Sequence, residues 1–203
     1  MIKEFFLFKR YEALVGKWFS FLSPMAWTYI GFFLPLLGFL AVVFGKIGIG
    51  LALFLLGGVI DEIDGKVARW SHRTTYLGGF TDGVADRFTD FFFILSFFFL
   101  PYPQWVVPIP MVLFVLLFVT LMPPFIVAYA DHRKAVPDPT EKVIWRLSFR
   151  VEYYFLFVFV LVFYPISVRI SFYLILSSLL LNAATVVQSI VLVFIKAKNY
   201  PQT

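Results

Sequence analysis

The sequence predicts an all-α integral membrane protein, with six transmembrane helices preceded by an N-terminal amphipathic helix on the membrane surface. Three observations carry that prediction. Of the 203 residues, 61% are hydrophobic and 14% charged, against roughly 45–50% and about 25% in soluble domains. Mean hydropathy is +0.89, more apolar surface than a 23.5 kDa globule can hide in one core. The apolar residues also fall into runs near the roughly 20 that a helix needs to cross hydrocarbon. Together these exclude a soluble enzyme, a disordered chain and a nucleic-acid binder. The length fits one domain, so a single membrane domain is expected over 1–203, with the surface helix in 1–22 and the bundle in 23–198.

The first element spans Lys3–Phe21. Lys3, Arg10 and Lys17 recur every seven residues, joined by Lys9 and Glu12, while Phe5, Phe8, Leu14, Val15, Trp18 and Phe19 fill the other side. That is an interfacial helix rather than a span. Charges interrupt its apolar run and no small-residue cleavage site follows, so a cleaved signal peptide is not expected. Spans follow at about 24–45, 48–70, 78–100, 105–130, 147–165 and 170–195, separated by polar or proline-containing segments. Pro123-Pro124 is expected to kink the fourth span. Asn182 and Gln188 are expected to make interhelical hydrogen bonds in the sixth. The phenylalanine-rich run 91–99 is read as lipid or subunit contact.

Six spans put both termini on one side, together with the second-to-third and fourth-to-fifth connections. Those segments carry fourteen of the seventeen Lys and Arg, and only Lys46 and Arg169 lie opposite. Both termini and both polar connections are therefore expected in the cytoplasm. With topology accounting for the basic residues, the net charge of +5 implies no polyanion partner. The absence of cysteine excludes disulfides, thiolate metal sites and cysteine nucleophiles.

The acidic residues carry the functional signal. Six of the twelve lie between Asp61 and Asp90, at the cytoplasmic end of the second and third spans. A carboxylate at mid-bilayer costs about 2.5–3.5 kcal/mol on insertion scales, so the cluster requires a counterion or a watery cavity. Asp61 and Asp64 share one helix face at i,i+3, and Asp82 and Asp86 share another at i,i+4. Four carboxylates converging from antiparallel neighbours, without His or Cys, suit Mg²⁺, Mn²⁺ or Ca²⁺. They can bridge two cations, the arrangement that supports phosphoryl-type displacement. Gly65 and Ala68 leave room beside the metals, and Arg69 or Arg73 can hold a phosphate. The plain alternative is a solvated helix end neutralised by Lys66, Arg69 and Arg87. A cation transporter is another, although its ligands should lie deeper, near the midplane. Intramembrane prenyl transfer is a third, but would call for a larger bundle and two well-separated aspartate motifs. His72 and His132 read as solvated loop residues.

The run Asp61-Glu-Ile-Asp64-Gly65-Lys-Val-Ala68-Arg69, then eight residues, then Gly78-Gly-Phe-Thr-Asp82-Gly-Val-Ala-Asp86 resembles the signature of the CDP-alcohol phosphotransferase family at every fixed position. The resemblance implies that Asp61, Asp64 and Asp82 bind one divalent ion, Mg²⁺ or Mn²⁺, and that Asp61, Asp82 and Asp86 bind a second. It further implies Asp86 as general base, with Gly65, Ala68, Arg69 and Gly78 lining the cytidine nucleotide pocket. The implied partners are a CDP-linked lipid donor, such as CDP-diacylglycerol or CDP-archaeol, a polar alcohol or phospho-alcohol acceptor, membrane lipids and a second copy of the chain. The continuation Asp86-Arg87-Phe-Thr-Asp90 resembles the inositol-phosphate-using branch. Glycerol phosphate, serine or a soluble CDP-polyol substrate are the alternatives within the family. A phosphorylated acceptor needs further cations, for which Arg73, Arg87 and Arg150 are the candidates. One departure stands at the first span, where many members carry Pro-Asn-x-x-Thr and this chain reads Pro24-Met25-Ala26-Trp27-Thr28. Thr28 or a main-chain group is expected to replace the missing amide.

Overall fold

The structure, a computed structural model, describes residues 11–103, 107–136, 147–148 and 150–198. Lys3, Phe5, Phe8, Lys9 and Arg10 of the sequence reading lie outside these residues, as do residues 137–146 of the fourth-to-fifth connection. All regular structure among them is helical: α1 (11–18), α2 (Pro24–Val43), α3 (Ile47–Trp70), α4 (Tyr76–Phe97), α5 (Ile109–His132), α6 (Arg150–Phe163) and α7 (Val168–Ala197). Three of these helices, α2, α5 and α7, are long and apolar enough to cross a membrane. α3 and α4 reach spanning length, 24 and 22 residues, but the acidic cluster interrupts their apolar runs. α6 is described over 14 residues. The helices group into two compact units, Met1–Ser96 and Phe97–Thr203.

In the first unit, α2 starts where Ser23 accepts a 3.2 Å hydrogen bond from the Ala26 amide, with Pro24 in the first turn. It ends at Val43, and Gly45 just beyond the cap, with a φ of +73°, lets the chain reverse into α3. The two helices pack closely, with side chains of one seated on glycines of the other. A Cβ on Gly50 would lie 2.5 Å from Val42 Cγ2 and 2.9 Å from the Gly38 carbonyl oxygen, and one on Gly57 would lie 2.9 Å from Pro35 Cγ. Gly31 and Gly38 on α2, like Gly50 and Gly57 on α3, are seven residues apart. They form the small-residue seam by which helices approach closely. The pairing order, 42 with 50, 35 with 57 and 31 with 61, makes the helices antiparallel and brings Thr28 level with Asp64.

α4 meets these helices through aromatic rings. Phe93 stacks on Phe54 with centroids 3.9 Å apart, Phe92 stacks on Phe39 at 6.2 Å, and Phe88 meets Phe32 edge-on at 5.5 Å. Phe93 and Phe97 are fully buried while Phe98 and Phe99 are exposed. The run 91–99 is thus partly core rather than wholly outward-facing. Within it, Phe92 and Phe93 pack against rings of α2 and α3.

The second unit buries Leu113 and Leu116 of α5, Phe157, Val160 and Leu161 of α6, and Ile175 of α7. α5 continues through Pro123 and Pro124. Tyr102 and Ser171 share a 2.7 Å hydrogen bond, and Tyr164 donates to the Pro101 carbonyl at 2.8 Å. Gln188 reaches another segment, accepting from the Leu147 amide. Asn182 differs from its sequence reading. Its amide donates to the Ser178 carbonyl at 2.9 Å, within its own helix, where the i−4 carbonyl is within reach of a helical polar side chain.

Candidate active site

The site lies in the first unit, on the C-terminal half of α3 and the N-terminal half of α4. Asp61 of α3 and Asp82 and Asp86 of α4 each offer a carboxylate oxygen, and the three oxygens lie within 4.8 Å of one another. Oxygens on opposite sides of one hard cation stand about 4.2 Å apart for Mg²⁺ and roughly 5 Å apart for Ca²⁺. The trio therefore fits a divalent ion in both spacing and donor chemistry. Asp64, the fourth predicted ligand, stands outside this trio. It is 5% exposed, and its Oδ2 accepts a 2.8 Å hydrogen bond from Thr28 Oγ1. Thr28 thus engages a carboxylate of the acidic motif. The glycine seam is what brings them together, since 36 residues separate them in sequence.

A cleft of about 380 Å³ adjoins the carboxylates. Asp64, Gly65, Ala68 and Arg69 of α3, Gly78 and Asp82 of α4, and Arg73 between the helices all line it. Every residue the sequence assigned to the nucleotide pocket faces this one space. Met25, where the amide is absent, also lines it, as do Ser23, Thr74, Thr75 and Gly79, which sequence reasoning missed. Thr75 had a legible signal, being the N-cap of α4: its Oγ1 accepts from the Gly78 amide at 3.0 Å. A Cβ on Gly78 would lie 3.1 Å from that oxygen, so the cap and the glycine belong together.

The nearby cations are engaged in distinct ways. Lys66 Nζ lies 2.6 Å from Glu62 and 4.5 Å from the centre of the Tyr11 ring. Arg69 Nη2 lies 3.0 Å from Glu12 Oε1 on α1. Arg87 Nη1 lies 3.2 Å from Asp90 Oδ2, and its Nη2 3.7 Å from Asp86 Oδ2. Lys66 and Arg69 thus pair with glutamates outside the trio, contrary to the reading in which they neutralise it as a solvated helix end. Arg87 turns back along α4 toward Asp86 and the fully buried Asp90. Arg73 is the predicted acceptor-binding cation that lines the cleft. Arg150 belongs to the second unit, where its guanidinium lies 5.9 Å from the centre of the Tyr154 ring.

Among the described residues all regular structure is helical, and carboxylates gather on two spanning-length helices beside a cleft of glycine, alanine and arginine, the make-up of a membrane-embedded transferase. The family model for CDP-alcohol phosphatidyltransferase matches residues 21–197, and the chain belongs to that family of integral membrane proteins. It is 34% identical over 98 residues to a bifunctional IPC transferase and DIPP synthase of Thermococcus kodakarensis, covering 46% of this chain and 21% of that protein. It is 42% identical over 52 residues to an archaetidylinositol phosphate synthase of Methanothermobacter thermautotrophicus, covering 26% of this chain and 27% of that one. The chain thus spans between 21% and 27% of the length of these two curated relatives. The fold matches the crystal structure of Mycobacterium tuberculosis phosphatidylinositol phosphate synthase with CDP-DAG bound. That match has a TM-score of 0.73, 18% identity and coverage of 95% and 96% of the two chains.

Proposed function

We propose that the chain transfers the phospho-alcohol moiety of a CDP-linked lipid to a hydroxyl of inositol phosphate, releasing CMP. The observation that carries this reading is the trio Asp61, Asp82 and Asp86 beside a cleft lined by the remaining signature residues. The named activities of the Thermococcus, Methanothermobacter and Mycobacterium proteins support inositol phosphate as acceptor and a CDP-lipid as donor. Asp61, Asp64 and Asp82 would hold one Mg²⁺ or Mn²⁺, and Asp61, Asp82 and Asp86 a second. Bound there, the ions supply charge neutralisation of the diphosphate and stabilisation of the departing CMP.

The chain's own residues do the rest. Gly65, Ala68 and Gly78 leave the cleft open for the cytidine nucleotide, and Arg69 directs its guanidinium at the diphosphate. Asp86 takes the proton of the acceptor hydroxyl, whose oxygen bonds to the β-phosphorus as the bond to CMP breaks. Arg73 faces the acceptor's phosphate. Arg87, held between Asp86 and Asp90, fixes the direction of the base. Thr28 fixes Asp64. In this reading the chain crosses the membrane six times, with both termini and the site in the cytoplasm, and works as a homodimer. The positive-inside distribution of Lys and Arg supports that orientation.

The test is CMP release by purified protein with a CDP-lipid, Mg²⁺ and a panel of acceptors. The greatest release is expected with inositol phosphate. Preference for glycerol phosphate or serine would overturn the acceptor, and no CMP release with any acceptor would overturn the reaction.

A further inference from the structure

We infer that Glu12 of α1 is a positioning residue that holds Arg69 over the cleft for the donor's diphosphate, an inference that rests on the function proposed above. Three observations converge on it. First, Glu12 Oε1 and Arg69 Nη2 are 3.0 Å apart, a charge-assisted hydrogen bond between residues 57 positions apart in sequence. Second, Arg69 Nη1 lies 3.3 Å from where a Cβ on Gly65 would stand. The guanidinium is therefore folded back along α3 over the Asp64-Gly65 step, not extended into solvent. Third, α1 is anchored where it must be for Glu12 to do this. A Cβ on Gly16 would lie 2.5 Å from Trp70 Cβ and 2.8 Å from the Lys66 carbonyl oxygen, and the Tyr11 ring sits over Lys66 Nζ. Glu12 and Gly16 share a face of α1 at i,i+4, as Lys66, Arg69 and Trp70 share a face of α3. The backbone contact at Gly16 fixes the distance, and Glu12 converts it into a fixed guanidinium.

The guanidinium carries five N–H donors in a rigid fork. Using Nη2 for Glu12 leaves the Nη1 side directed toward the cleft, so one arginine spans the carboxylate and the diphosphate together. Without Glu12, a side chain that is 56% exposed would have to give up its rotamer freedom each time donor binds. An exposed pair of this kind typically contributes a small interaction, which converts to about a three- to fivefold effect on affinity.

The test is a double-mutant cycle on Glu12→Ala and Arg69→Ala, reading KM for the CDP-lipid, kcat for CMP release, and the dissociation constant for free CDP with Mg²⁺. Glu12→Ala is expected to raise KM and the CDP dissociation constant about three- to fivefold with kcat within about twofold, and Glu12→Asp to recover part of the loss. In the Arg69→Ala background, Glu12→Ala is expected to have no further effect. Equal effects of Glu12→Ala in both backgrounds, or an unchanged or lowered KM, would overturn the positioning role while leaving the reaction intact. No CMP release by the wild-type protein would remove the reaction and this role with it.

Discussion

The helices around the acidic motif and α7 aim their polar side chains differently. In Met1–Ser96 three sets reach from one helix to another: Thr28 to Asp64, Glu12 to Arg69, and Asp61 toward Asp82 and Asp86. In Phe97–Thr203, α7 buries Ser178, Asn182, Thr185 and Ser189 along one face, and each donates to a carbonyl one turn back on α7 at 2.7–2.9 Å. A polar group satisfied within its own helix costs the bundle little and commits it to nothing. A polar group aimed across helices requires the partner helix to hold its place. The helix–helix seams differ in the same sense. Glycines bring the α2 and α3 backbones together, whereas the second unit is filled by Phe, Leu, Ile and Val side chains. Precise placement is concentrated where the chemistry is proposed.

The largest break in that contrast is expected from Asp86→Asn. Loss of a general base typically costs about 10²–10⁴ in rate, so kcat for CMP release should fall at least about a hundredfold in this variant. Thr28→Val comes next, because it keeps the shape and removes the hydroxyl that Asp64 accepts from. Losing a partner that orients a metal ligand typically costs about 10–100-fold in metal affinity or activity. The Mg²⁺ concentration for half-maximal CMP release should rise by at least about tenfold, and an unchanged requirement would detach Asp64 from the ions. Gly50→Ala sharpens the comparison of seams. Its new methyl meets Val42 and the Gly38 carbonyl, and overpacking of this kind costs about 1–3 kcal/mol, read as a lower unfolding midpoint in detergent. Asn182→Leu should be the mildest. Polar contacts between membrane residues average about 0.6 kcal/mol, and the Asn182 bond stays within one helix, so both midpoint and activity should stay near wild type.

The sequence makes the helices legible because apolar runs and their breaks are local. α2 (Pro24–Val43) and α3 (Ile47–Trp70) begin and end within about two residues of the predicted segments 24–45 and 48–70. The carboxylates were legible because their i,i+3 and i,i+4 spacing fixes a face before any packing is known. What escaped was the pairing across helices. Nothing local to Glu12 indicates an arginine 57 residues away, and nothing local to Thr28 indicates Asp64. The glycine pairs at 31 and 38 and at 50 and 57 did hold a signal, a seven-residue small-residue period on two consecutive helices. The phenylalanine run is only partly outward, because an aromatic ring facing lipid and one stacked on a ring of a neighbouring helix, as Phe93 is on Phe54, look alike in sequence.

The central claim is that Asp61, Asp82 and Asp86 form a divalent-cation site between α3 and α4. Its most direct test is Mn²⁺ titration of the purified protein, with unbound Mn²⁺ read by electron paramagnetic resonance. Asp82→Asn is set beside Glu62→Gln, the latter altering a carboxylate that pairs with Lys66 and is 65% exposed. Wild type and Glu62→Gln should bind Mn²⁺ alike, while Asp82→Asn should lose at least about tenfold in affinity, the lower end for disturbing even an outer partner of a metal ligand. Equal Mn²⁺ binding by all three proteins would contradict the claim.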